Sequence, residues 1–350
     1  MKIKKTIPDW LIGVCITIFF LFITHTGIFD FTSAIEMKTF DLRAKMAAPE
    51  ERNPDIEIVV ISDDDLAELG RFPWPRNILA QGIQNLALAG ARVIALNILF
   101  MEPEESAGLM AIKRLKDNFE DIGLAEKEPG LSFFNSLSQA VSNLDNDAKL
   151  AKAVKEARNV VLPVYFDTLS TGKDKEPPEF MTRHALKRIK GVDDEWTVSN
   201  LIWLSKIKPL LPSFAENAAG IGYLNLFPDA DGFIRNQIHV LGYLKDIYFP
   251  SFPVAIVRAF KGLKDEDIVV TLGDGLNLRM NPSLVVKVPV QDLQMRTLIN
   301  WNQGPSVAFH YTPFVKIFKN EIQTSLFRDK IVIIGPTALF SALTSFITSA

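Results

Sequence analysis

The longest apolar run in the chain lies at its start. From Trp10 to Phe29 the sequence reads WLIGVCITIFFLFITHTGIF, with no acidic or basic side chain except His25. A bilayer core requires about 20 predominantly apolar residues in a helix, and this run meets that length. A cleaved signal peptide has an apolar region of only about 7–15 residues. The residues Thr32 to Ala34 also make a poor cleavage site. The pattern therefore predicts a retained membrane helix over residues 10–29. Lys2, Lys4 and Lys5 precede it, which places residues 1–9 in the cytoplasm and the bulk of the chain outside. Residues 30–46 contain neither proline nor glycine and are expected to continue outward as a helical stalk.

Beyond the breaks at Pro49 and Pro54 the pattern changes. Ile56 to Ser62 (IEIVVIS) is β-branched and nearly continuous in apolar character, as in a strand buried on both faces. Ser62 and Asp65 have capping-box spacing, and Gly70 suits a helix stop. Ile78, Leu79, Ile83 and Leu86 recur at helical spacing between Pro75 and Gly90. Ala91 to Phe100 is a second apolar strand, so the segment reads as a parallel βαβ unit. From Glu102 to Ser142 the pattern weakens into an excursion. Asn146 to Arg158 is an amphipathic helix, and the strand NVVLPVYF follows it. Asp167 to Trp196 is polar and is expected to be a mobile surface loop.

The stretch AGIGYLNLFPDADGFIRNQIHVLGYL reads as a hairpin about an Asp-Gly turn. A proline-opened helix in FPSFPVAIVRAF, strands with glycine turns from Asp267 to Val290, and the strand RTLINW come next. A short helix with Thr312 as cap and Pro313 in first position follows, and KIVIIG is a last buried strand. The expected fold class is α/β: a single mixed domain with a central sheet flanked by helices, preceded by one transmembrane helix.

Composition narrows the chemistry. The net charge of −3 and the lack of a basic cluster beyond the first five residues exclude nucleic acid as a main partner. A single cysteine, Cys15, excludes a disulfide framework, and four scattered histidines show no ligand spacing. No cofactor-binding GxGxxG or GxxxxGK[ST], and no GxSxG, HExxH or CxxC, is present, so neither a cofactor, a metal nor a catalytic residue is assigned.

Three stretches hold candidate binding residues. Asp63 and Asp64, with Asp65, follow the first strand, at the edge where open α/β sheets place ligands; they would also serve as plain helix-start charges. In GRFPWPR, Pro73 and Pro75 stiffen a link around Trp74. Arg76 would oppose the dipole of the helix it opens, and the nearest carboxylates in sequence are Asp63 to Asp65. In PDADGFIR, Asp229, Asp231 and Arg235 surround a tight turn that lacks the remaining ligands of a calcium loop.

These stretches together resemble the CHASE2 family, the extracytoplasmic sensor domains of bacterial transmembrane receptors. GRFPWPR is similar to that family's Gly-Arg-Trp-Pro-Trp-Pro-Arg signature. FDLRAKM, IVVISDDDLAELG, LFMEPE, NLFPDADGFIR, LINWNQGP, YTPFVKIF and DKIVIIGPTAL are similar to its other segments, in order from Asp41 to Leu339. The resemblance implies a sensor over residues 47–339, working as a homodimer at the cytoplasmic membrane, with an undefined extracytoplasmic ligand. Family outputs are adenylate or diguanylate cyclases and histidine or Ser/Thr kinases. Asn97 stands where the family has an aspartate, and residues 340–350 diverge from the family's return to the membrane. The expectation is a receptor fragment without its output domain, or a remnant that pairs with itself or an intact receptor. A reading from another class remains beside it: a membrane-tethered hydrolase using the aspartate cluster with a divalent cation. Translation of the locus past Ala350 is expected to reveal a second apolar helix and an output domain; their absence in all three frames would contradict the fragment reading.

Overall fold

The computed structural model describes residues 8–25, 29–48, 52–104, 106–167, 176–204, 206–229, 231–244, 246–299 and 309–336. Helix α1 spans Asp9–His25 and α2 spans Phe29–Ala47, so the predicted stalk is helical. The end of the predicted membrane run, residues 26–28, lies outside the described residues. Among the described residues no helix is long and apolar enough to cross a membrane; α1 has 17 residues.

Strand β1 (Ile56–Ile61) leads through the short helix α3 (Asp63–Leu69) into α4 (Arg76–Leu88) and β2 (Val93–Leu96). The second strand is shorter than its apolar run, because only four residues find ladder partners. Helices α5 (Ala107–Asp121) and α6 (Gly130–Leu144) come next, then α7 (Asn146–Ala157) and β3 (Val160–Asp167). Here the expectation of an irregular excursion is corrected. Helices α5 and α6 pack on each other, with Leu109 and Leu137 buried and the rings of Phe119 and Phe133 5.2 Å apart. Their apolar faces are narrow because most of the pair faces water, which is why the pattern looked weak.

The segment after Asp167 is corrected in part. Residues 168–175 lie outside the described residues, but Glu179–Thr182 forms α8 with Met181 buried, and Ile189–Lys190 forms β4. Helix α9 (Glu195–Asn200), β5 (Trp203–Leu204), β6 (Lys206–Lys208), α10 (Pro212–Ala215) and β7 (Gly220–Tyr223) follow. The remaining strands of the middle region are β8 (Asn236–Ile238), β9 (Val240–Tyr243) and β10 (Ile247–Pro250). Helix α11 (Phe252–Lys261) opens with proline, as expected. Then come β11 (Ile268–Thr271), β12 (Gly275–Asn281), β13 (Leu284–Pro289) and β14 (Arg296–Leu298). The described residues close with β15 (His310–Pro313), α12 (Phe314–Phe318) and β16 (Ile331–Pro336).

The main sheet has the order β15-β1-β16-β2-β3-β7, all parallel, with β6 antiparallel to the end of β3. The last strand therefore sits between the first two, and the expected βαβ unit is a crossover that leaves a place for β16. One face is covered by α4, α7 and α12, the other by α11. The expected hairpin around Asp229 is corrected. Its turn does form, with Asp229 N–H donating to the Phe233 carbonyl at 2.8 Å. Its flanks diverge, however: β7 joins β3 in the buried parallel sheet, and β8 pairs with β14. An Asp-Gly signal specifies the turn and says nothing about where the flanking strands find partners. Thr312 is likewise a strand residue rather than the helix cap, since Pro313 occupies that position.

The parallel edge depends on one close approach. A methyl group at Gly222 in β7 would stand 2.7 Å from the Phe252 Cα and the Ser251 carbonyl oxygen. Both are backbone atoms and cannot swing aside. Gly222→Ala is expected to destabilise the chain by about 1–3 kcal/mol in urea unfolding; an unchanged midpoint would mean that α11 can lift from the sheet.

Candidate functional site

The acidic turn after β1 is built for structure. The Asp65 carboxylate, fully buried, accepts hydrogen bonds from the Ser62 N–H (2.7 Å) and hydroxyl (2.6 Å) through one oxygen. Its other oxygen accepts from the Val315 N–H at 2.7 Å, in the first turn of α12. One side chain thus closes the start of α3 and fixes a helix 250 residues away. Asp63 and Asp64 are exposed and take no part in this. With Asp65 committed, the turn offers a cation only two solvated carboxylates, and the hydrolase reading finds no support there. Among the described residues no group of three His, Cys, Asp or Glu is arranged to hold a metal ion.

The link GRFPWPR is also structural at its centre. Trp74 is buried, its indole N–H donates to the Gly70 carbonyl at 2.7 Å, and its ring lies 5.2 Å from that of Phe314. The peptide bond between Phe72 and Pro73 is cis. Arg76 has a carboxylate partner, but not the expected one: its guanidinium pairs with Asp147 in the first turn of α7. It also donates to the Glu102 carbonyl at 2.5 Å and lies over the rings of Phe100 and Phe214. The Asp63 to Asp65 group is excluded as its partner because Asp65 is turned toward α12. The backbone N–H of Arg76 donates to Glu104 at 2.8 Å, and the Glu104 N–H donates to Asp147 at 3.0 Å. Two carboxylates thereby offset the cation at the start of α4. The segment after β2 and the link before α4 are one knot.

The third stretch behaves differently. Asp229, Asp231 and Arg235 are brought together, and what they meet is helix α2. Arg235 is only 4% exposed. Its guanidinium donates to both oxygens of Asp41 in α2, at 2.6 and 2.7 Å, and to both oxygens of Asp231 at 2.8 Å. A further bond runs to Asp229 at 3.1 Å, and the Met37 sulfur lies 3.6 Å away. The ring of Phe233 stacks below the cation. Bidentate pairing of this kind is the strongest form of a carboxylate–guanidinium contact. The hydrogen bonds from Asp41, then Asp231, hold Arg235 charged well above its ordinary range. In return, the Arg235 hydrogen bonds pull the Asp231 carboxyl below its ordinary value.

Reading the residues themselves gave no role to Asp41, Glu104 or Asp147, whose partners are remote in the chain; Asp41 and Glu104 entered only within segments of family likeness. It also missed Glu57, the one charge within the apolar first strand. Glu57 is fully buried and accepts from the Thr312 hydroxyl at 2.6 Å, with His310 Nδ1 at 2.5 Å on the same oxygen. A carboxylate inside a run of β-branched residues was the available signal.

A family model for the CHASE2 domain matches residues 14–349. The chain belongs to the CHASE2 domain family. This is a family of extracellular sensory domains, not of catalytic ones. No curated protein and no solved structure matches the chain. In this CHASE2 domain the segments that carried the resemblance meet in pairs. GRFPWPR ties to LFMEPE through Arg76 and Glu104, and FDLRAKM ties to NLFPDADGFIR through Asp41 and Arg235.

Two measurements separate these roles. Asp65→Ala leaves the Val315 N–H buried without an acceptor and should cost about 1–3 kcal/mol, whereas Asp64→Asn should stay within about 0.5 kcal/mol. The Asp231 contribution is complete above its unfolded value of 3.8 and is lost as pH falls through the lowered folded value. Protection of the Asp231–Arg235 turn from hydrogen exchange is therefore expected to hold at neutral pH and to weaken only as pH falls below 3.8.

Proposed function

We propose that the chain is the extracytoplasmic sensing module of a membrane-anchored bacterial receptor, tethered by residues 10–29. Helix α1 supports the tether because it is apolar all round rather than on one face: Trp10, Ile12, Phe19 and Phe20 are all exposed. A helix hydrophobic on every side needs a protein core or a lipid around it. Lysines precede it and the α/β domain follows, which puts the domain outside under the positive-inside rule.

The single observation that carries the proposal is the Arg235 clamp. It joins the helix nearest the anchor to the loop Asp229–Arg235 with charge-assisted bonds on both sides of one guanidinium. A signal that moves this loop must either drag α2 with it or break bonds to Asp41. Such a junction lets binding outside bias two arrangements of a membrane-connected helix. The ligand is left unnamed, and output chemistry belongs to whatever the stalk and anchor drive. In this reading Asp229, Asp231 and Arg235 transmit, while Trp74 and Arg76 keep the frame rigid.

The test has two parts. Protease added outside spheroplasts is expected to cut the chain beyond residue 30 while sparing its amino terminus; cleavage only after lysis would contradict the topology. Asp41→Asn is expected to raise hydrogen exchange over residues 37–47 by about tenfold or more, since a bond to a charged group contributes about 1.5–3 kcal/mol, with the main sheet unchanged. Unaltered exchange in α2 would mean that the clamp does not couple stalk to domain.

A further inference from the structure

A cavity of about 460 Å³ opens in the middle region, and none of its lining residues belongs to the clamp or to the acidic turn. Three chain segments build it: the stretch from Thr182 to Val192, Val198 of α9, and Asp246 to Tyr248 at the turn into β10. These segments are tied to one another. The Leu186 N–H donates to the Tyr248 carbonyl at 2.7 Å, and the Trp203 indole N–H donates to the Val198 carbonyl at 2.8 Å. The Trp203 and Tyr248 rings lie 5.8 Å apart, so the walls are in place before anything enters. Leu186, Ile189, Val192 and Val198 make those walls apolar. Three polar groups share the space with them. Tyr248 is buried, yet its hydroxyl has no hydrogen-bond partner among the described residues. Burial, and then the nearby Asp246 carboxylate, raise its pKa and keep it a donor. The Lys187 ammonium donates to the Thr182 carbonyl at 2.7 Å and keeps further N–H donors to offer. Asp246 is exposed and has no ion pair among the described residues, with Lys187 or any other cation. An ammonium and a carboxylate thus line one cavity without meeting.

We propose that this cavity binds a small apolar α-amino acid. Asp246 accepts from the α-ammonium, Lys187 and Tyr248 hold the α-carboxylate, and the aliphatic walls cover the side chain. The charges decide the class. A ligand of one sign would leave either Lys187 or Asp246 without a partner beside apolar walls, whereas a zwitterion satisfies both with charge-assisted bonds. The volume lies toward the lower end of the range of about 300–1,000 Å³ typical of small-molecule sites, which suits an amino acid better than a peptide. This names a ligand class for the sensing reading above, and it rests on that reading only for what binding does next. Strand β10 pairs along its length with β9, and β9 continues from β8, whose first residue, Asn236, follows Arg235. Closure of the cavity on its ligand would act on the clamp through these consecutive strands.

The test is calorimetric titration of the full chain in detergent with L-leucine and three analogues. Isoamylamine lacks the carboxylate, isocaproate lacks the ammonium, and glycine lacks the side chain. L-Leucine is expected to bind, and each analogue to bind at least about tenfold more weakly, since each loses a charge-assisted or an apolar contact. Asp246→Asn and Tyr248→Phe should each weaken leucine binding by about tenfold. Both variants should keep the urea midpoint, because Asp246 is exposed and phenylalanine retains the ring against Trp203. No leucine binding at about 10 mM would overturn the site. So would isoamylamine or isocaproate binding as tightly as leucine, or unchanged affinity in both variants. Hydrogen exchange separates this site from the sensing reading. Leucine that binds without altering exchange over residues 37–47 defeats the sensing reading and keeps the site, whereas absence of binding defeats the site and leaves the clamp to the Asp41→Asn result.

Discussion

A guanidinium that is almost fully buried cannot be left without partners, and Arg235 finds them by joining α2 to the turn at Asp229 and Asp231. Removing an ion from water costs several kcal/mol unless charges and hydrogen bonds replace the lost solvation. Here the replacement comes from three carboxylates. Two belong to its own loop, at Asp229 and Asp231, and the third stands on α2, 194 residues earlier in the chain. The loop cannot supply the third on its own, so burial of Arg235 requires the stalk to be in place. Equally, α2 has no other charge-assisted bond to the domain among those described. The clamp is where the domain and α2 become one mechanical object.

The rest of the domain supplies a frame against which that object can move. Its parallel sheet places the last described strand, β16, between β1 and β2, so early and late segments of the domain are interlocked in the core. Asp65 ties the turn after β1 to α12, and the Arg76 knot ties α4 to α7 through Glu104 and Asp147. These connections lie among buried aromatic rings and leave little freedom. The contrast in chemistry is instructive. The centre of the GRFPWPR link is held by ring packing and an indole hydrogen bond, and the ion pair at its end, Arg76–Asp147, is largely covered, whereas the clamp draws on a carboxylate near the surface, Asp41, which is 47% exposed. Rigid packing suits a frame, and a solvent-accessible ion cluster suits a joint.

Much of the frame was legible in the sequence because local rules govern it. The apolar run IEIVVI, the helical spacing of Leu79, Ile83 and Leu86, and the amphipathic helix Asn146–Ala157 all formed as their periodicity requires. What was not legible depends on long-range pairing. The turn at Asp229 was visible, but the separation of β7 and β8 into different sheets was not, since a turn signal does not encode its neighbours' partners. Arg76 was correctly read as needing a carboxylate, yet Asp147 is 71 residues away and only the fold could select it. For the same reason Asp229, Asp231 and Arg235 were found as candidates, while Asp41, the residue that gives them a role, was seen only through family likeness. The narrow faces of α5 and α6 hid two helices, because solvated helices carry a weak apolar signal.

The claim that the domain grips the stalk through one ion cluster is tested most directly by a double-mutant cycle between Asp41→Asn and Arg235→Gln, read as the opening free energy of α2 from native-state hydrogen exchange. Direct contact predicts a coupling of about 0.5–3 kcal/mol, with the double variant much less perturbed than the sum of the single ones. Strictly additive effects would contradict the account, because they would mean that stalk and loop are held independently and that Arg235 transmits nothing between them.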